Sequence, residues 1–225
     1  MVLFNRVFLF FFLFLQPLCV EAKDLSLNQK KQYFREICFG SEFGSKTKVI
    51  HKWRGPVSYF VDGTIQLADR QALKAIVSDL NRLIGQDFLF EGAPGAQIQI
   101  HFAPQERFPS LLKNYKLGNA GYFQTHWDDK GWMQSAIILI SSTDITQLQR
   151  NHIIREELTQ SLGLMQDSYK YLDSIFQTRW TETQQFSPLD EQLIRWLYQN
   201  QVEAGMRYDD VEEYLTRAPQ VSKTN

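Results

Sequence analysis

The apolar positions of this chain change period several times, and each change marks an element. Val57 to Val61, inside KWRGPVSYFVDG, is a β-branched and aromatic run between Gly55-Pro56 and Asp62-Gly63, which predicts a strand. From Asp69 to Gly85 the apolar marks fall at Leu73, Ile76, Val77, Leu80, Leu83 and Ile84, the spacing of one helical face, and Gly85 ends the run. After a Gly/Pro turn at Gly92 to Gly95, the alternation of QIQIHF predicts a strand at Ile98 to Phe102 with one face on a core. Gly121 to Thr125 and Ala136 to Ile140 predict two more. The latter, SAIILIS, is apolar on both faces and belongs in the middle of a sheet or under cover on both sides. Thr146 to Leu164 returns to helical period through Leu148, Ile153, Ile154, Leu158 and Leu162, with Gly163 in the stop position. Ser187 to Gln201 opens with serine and proline and carries the stripe Leu189, Leu193, Ile194, Leu197 and Tyr198, a final helix. Residues 23–50 are polar and mixed and read as a surface lead-in with one short helix; residues 218–225 read as a polar tail. The layout predicts one α+β domain over residues 51–217.

The first 22 residues stand outside this pattern. Arg6 precedes an unbroken apolar stretch from Val7 to Leu15, Gln16-Pro17 breaks it, and Val20-Glu21-Ala22 ends on a small residue, the layout of a secretory signal peptide cut after Ala22. The stretch is shorter than the roughly 20 apolar residues of a spanning helix, so no membrane association is expected once it is removed. A secreted or periplasmic location follows. Cleavage takes Cys19 with it and leaves Cys38 as the only cysteine, so no intramolecular disulfide is available. Between Ile37 and Phe39, Cys38 reads either as a small buried hydrophobe or as a reactive thiol. Net charge is −1, from 24 basic and 25 acidic residues, with no basic run, so nucleic acid is not an expected partner.

Candidate chemistry concentrates in Arg155 to Asp167, REELTQSLGLMQD. On a helix Glu156 and Gln160 share a face, Glu157 points about 100° round, and Gly163 lets the chain turn back to bring Gln166 or Asp167 over that face. His152, one turn before Glu156, extends the same stripe; His101 and His126 are further imidazoles that a shifted site would recruit from the sheet. Asp128-Asp129 reads as a turn tip, with Trp127, Trp132 and Tyr122 either packed at the sheet edge or forming an aromatic rim for a peptide or sugar.

This string is similar in frame to the HExxHxxGxxH of the metzincin zinc proteases. Glu156 stands at the first histidine, Glu157 keeps the general-base position, Gln160 stands at the second histidine, Gly163 keeps the glycine, Gln166 stands at the third histidine, and Asp167 matches the aspartate that follows in matrixins. Asp173-Ser174-Ile175-Phe176 resembles the methionine turn, with Phe176 in place of methionine, and FSPLDEQLIRWLY resembles the matrixin final helix. A closer likeness is to the bacterial family DUF2927, which carries EExxQxLGxxxD and a Gly-Met after its last helix, matched here by Gly205-Met206. The resemblance implies a zincin-like fold: a twisted mixed sheet, two long helices, a C-terminal helix, and a cleft between the EELTQ helix and the strand at Gly121.

The donor set decides what such a site would do. Zinc favours imidazole and thiolate, and a glutamine oxygen is a weak donor, so Glu156, Gln160 and Gln166 are expected to hold it poorly, and no cofactor is expected; a divalent cation is the alternative. Without a cation Glu157 has no activated water to work on. Glu156 and Glu157 diverge as neighbours on a helix, so acid/base hydrolysis would need one of them to pair with Asp167 or Asp173. The remaining reading is a polar network pinning helix to loop. Two functions follow: a binding module of the cell envelope whose cleft takes an extended peptide or polymer, or a hydrolase using Glu157 as general base with a non-standard metal site.

Overall fold

A computed structural model describes residues 25–40, 48–85, 87–199 and 201–216. Ten elements carry the fold: α1 (Leu27–Phe39), β1 (Val57–Gly63), α2 (Leu67–Ile84), β2 (Leu89–Glu91), β3 (Ile98–Ala103), a short α3 (Phe108–Leu111), β4 (Gly121–Trp127), β5 (Met133–Ser141), α4 (Gln147–Gln160) and α5 (Pro188–Gln199), followed by a sixth helix, α6 (Tyr208–Thr216). The signal segment and the tail 218–225 lie outside the described residues.

The strands make one five-stranded sheet in the order β2-β1-β3-β5-β4. All neighbours are parallel except β4, which runs antiparallel to β5 at the edge. The architecture is mixed α/β with a mostly parallel sheet. Parallel pairing follows from the connections: α2 carries the chain from β1 back to the starting edge, whereas β4 and β5 are joined by a tight turn and must pair antiparallel. β5 sits between β3 and β4, as its two-faced apolar pattern predicts. Ile138 and Ile140 enter the main core, while Leu139 joins Phe108, Leu112, Tyr115 and Tyr122 in a smaller cluster on the opposite face.

α4 lies on β4 and β5 and packs against α2, which in turn packs against α5. Its start is fixed twice. Thr146 and Gln149 form a reciprocal capping box. The buried Arg150 donates from Nε to the Ser141 carbonyl at 3.0 Å and from Nη2 to the Ser142 carbonyl at 3.1 Å, with Asp69 of α2 at 3.5 Å.

One expectation is corrected. The helix expected within residues 23–50 is present, but it does not lie at the surface: Leu27–Phe39, 13 residues capped by Ser26 and Gln29, buries Tyr33, Phe34, Ile37 and Cys38 completely in the main core. Its polar residues hide an apolar stripe at i, i+1, i+4 and i+5. Burial pushes the Cys38 thiol well above its ordinary value, so it is a core residue and not a nucleophile.

Candidate functional site

The C-terminus of α4 is held by side chains distant in sequence. Trp53 Nε1 donates to the Ser161 carbonyl at 3.0 Å, and the Tyr198 hydroxyl donates to the Leu162 carbonyl at 2.6 Å. Gly163 then takes φ +115°, and a Cβ there would sit 2.2 Å from the His51 carbonyl oxygen. Only glycine fits that turn. Beyond it, the backbone N–H of Gln166 bonds the Ile37 carbonyl at 3.1 Å, tying the returning segment to the end of α1.

That tie decides which side chain faces α4. Gln166 points into a cavity against α1 and α6, and Asp167, the next residue along, turns to α4. Gln160 Nε2 donates to Asp167 Oδ1. The ligand-equivalent positions Glu156, Gln160 and Gln166 therefore do not converge; Glu156, Gln160 and Asp167 do. They line a cavity of about 260 Å³ together with His152, Glu157, the Gly118–Gly121 segment and the loop from Gln177 to Thr181.

His152 is fully inside, only 4% exposed. Its Nδ1 lies 2.9 Å from the Thr183 carbonyl, which can only accept, so Nδ1 carries the proton. Nε2 faces Thr181 Oγ1 at 3.3 Å and Glu156 Oε2 at 3.4 Å. Burial disfavours the imidazolium, but the Glu156 carboxylate outweighs it and holds the His152 pKa above its ordinary value. Asp167 is pushed up to about 8, first by burial and then by the Glu156 charge, so it carries a proton at neutral pH. Glu157 is buried in the cavity wall beside β4, where a Cβ on Gly121 would come within 2.3 Å of Glu157 Oε1. Gly121 is thus the position that admits the Glu157 carboxyl.

The DSIF turn is structural. Asp190, in the first turn of α5, accepts from Ser174 Oγ at 2.6 Å and from the Ile175 and Ser187 amides, each at 2.9 Å. Ser187 Oγ accepts from the Asp190 amide in return, completing a cap for α5. Burial lifts Asp190 to about 6, against the pull of those donors. Ser174 and Phe176 are buried, and Asp173 is exposed and outside the cavity.

The other candidates stay apart. His101 pairs with Asp62 at 3.6 Å, and His126 is exposed with Gln124 at 3.0 Å; neither lines the α4 cavity. Asp128 closes the β4–β5 turn, accepting from the Lys130 and Trp132 amides. Trp127 stacks on His51 at 4.0 Å and Trp132 lies under Arg54 at 4.9 Å, but Tyr122 is buried in the smaller cluster and cannot join a rim. Among the described residues, no group of three or more His, Cys, Asp and Glu is arranged to hold a metal ion.

A family described as a protein of unknown function, DUF2927, matches residues 28–217. The chain belongs to this family. No curated protein matches it. In this DUF2927 protein the family span begins inside α1, in accord with the burial of that helix. Nothing in the sequence singles out the loop residues Thr181 and Thr183, which orient His152. They carry no motif, and only the fold of the loop over α4 makes them partners.

Proposed function

We propose that this protein is an exported binding module on a metzincin-like frame, holding an extended peptide or envelope polymer in the groove between α4 and the edge strand β4. The carrying observation is the engagement of the motif positions with one another: Gln160 with Asp167, His152 with Glu156, and Gln166 turned to the other side. A catalytic zinc site needs three nitrogen, sulfur or carboxylate donors around one point and an open fourth position. The ligand-equivalent positions Glu156, Gln160 and Gln166 do not meet it, since two are amides and Gln166 faces the other cavity. β4 ends the sheet beside the cavity, and such an edge offers backbone donors and acceptors to an added strand.

A second reading is supported by the proton on Asp167. A protonated acid beside Glu156, with Glu157 in the same wall, supplies the acid and base halves of a hydrolase in which Glu157 activates water. Elemental mass spectrometry on protein purified without chelator or tag metal, with hydrogen exchange in the presence of peptides selected from a random display library, separates the two. The binding module is expected to be metal-free and folded, with residues 121–127 protected by peptide and no turnover. Near-stoichiometric metal that disappears in Glu156→Ala/Gln160→Ala, or peptide cleavage abolished by Glu157→Gln, establishes the hydrolase instead.

A further inference from the structure

The cavity that receives Gln166 is the larger of the two, about 680 Å³, and lies between α1, the residues before β1 and the start of α6. Three cations from these three places line it: Arg35, Lys48 and Arg207. Among the described residues none of the three has a carboxylate within ion-pair distance, whereas Glu36, the acidic residue beside Arg35 in the wall, is paired with Lys170. Asp209 and Asp167 are the other acids of the lining.

Arg35 is also held in place. Its guanidinium lies 4.5 Å over the Tyr208 ring, and Tyr208 packs edge-on against the buried Phe39 at 5.7 Å. A guanidinium held over a ring by cation–π attraction still has N–H donors to offer an oxyanion. A single carboxylate is neutralised by one such fork. Three cations from separate elements lining one cavity match a ligand of higher charge density, and a phosphate ester carries up to two charges on three acceptor oxygens.

We infer that this cavity is a binding site for a phosphate-bearing ligand, gripped by Arg35, Lys48 and Arg207. The site does not depend on the reading of the α4 cavity. Asp167 lines both cavities, so a chain-like ligand anchored here by its phosphate lies directly against the α4 site.

Calorimetric titration of the purified protein with sodium tripolyphosphate at low ionic strength tests this. Saturable binding is expected, weakening as salt is added. Arg207→Glu and Arg35→Ala should each weaken it by about tenfold or more, with Arg54→Ala, on the far Trp132 ring, unchanged. Arg207 is exposed, so its reversal leaves the core intact even where Arg35→Ala loosens the Tyr208 shelf. The assignment fails if binding is absent, if Arg207→Glu binds as wild type does, if Arg54→Ala loses as much, or if citrate binds as tightly as tripolyphosphate.

Discussion

Replacing Asp167 by asparagine keeps the shape of the side chain and removes its ionisation, so it isolates the electrostatics of the α4 cavity. In the folded protein the Asp167 proton is held to about pH 8, against 3.8 for an ordinary aspartate, because the carboxyl is buried and faces Glu156. A raised value in the fold means that the native state binds more protons than the unfolded chain throughout that window. The stability it confers is complete below about pH 4 and is lost as pH rises through about 8. The loss runs at up to ~1.4 kcal/mol per pH unit, so between pH 5 and pH 8 Asp167→Asn should gain up to ~4 kcal/mol on the wild type. For a domain of this size that is on the order of 10 °C in melting temperature. His152, also raised, pushes the wild-type profile in the same direction. Parallel thermal and urea unfolding of both proteins at pH 5, 6.5 and 8 reads the difference directly. Two profiles that stay parallel across the window would refute the burial of Asp167 against Glu156.

Two substitutions test the supports of the site. Gly163→Ala places a Cβ against the His51 carbonyl at a positive φ, and should destabilise by about 3 kcal/mol or more in denaturant titrations while Gly118→Ala, with open space around its Cβ, costs about 1. Asp190→Ala strands the buried Ile175 and Ser187 amides without their acceptor and leaves the Ser174 hydroxyl only Tyr33 as an acceptor, an expected loss of about 3–5 kcal/mol by urea unfolding. A loss under 1 kcal/mol would show that the DSIF turn does not depend on α5.

The elements that depend on near neighbours were legible in the chain. The alternation of QIQIHF, the two-faced SAIILIS run and the helical spacing before Gly85 and Gly163 each report a local period. The observed β3, β5, α2 and α4 follow them closely. The glycine at 163 was readable for the same reason, since a helix stop is a local event. The burial of α1 is not legible in that way, because its mean polarity masks a stripe that becomes visible only against the core that buries it.

Which side chains meet was a different matter. The spacing from Glu156 to Gln160 placed both on one face, and the structure keeps them together. Gln166 and Asp167 were equal candidates in sequence, since either residue after the glycine can return to the helix. The choice was made by the hydrogen bond from the Gln166 amide to Ile37, more than 120 residues away, which seats Gln166 in the cavity against α1 and leaves Asp167 to reach Gln160. Thr183 behind His152, Gly121 beneath Glu157 and Tyr208 beneath Arg35 are decided in the same way. Local periodicity determines faces; only the packing of distant segments determines what each face meets.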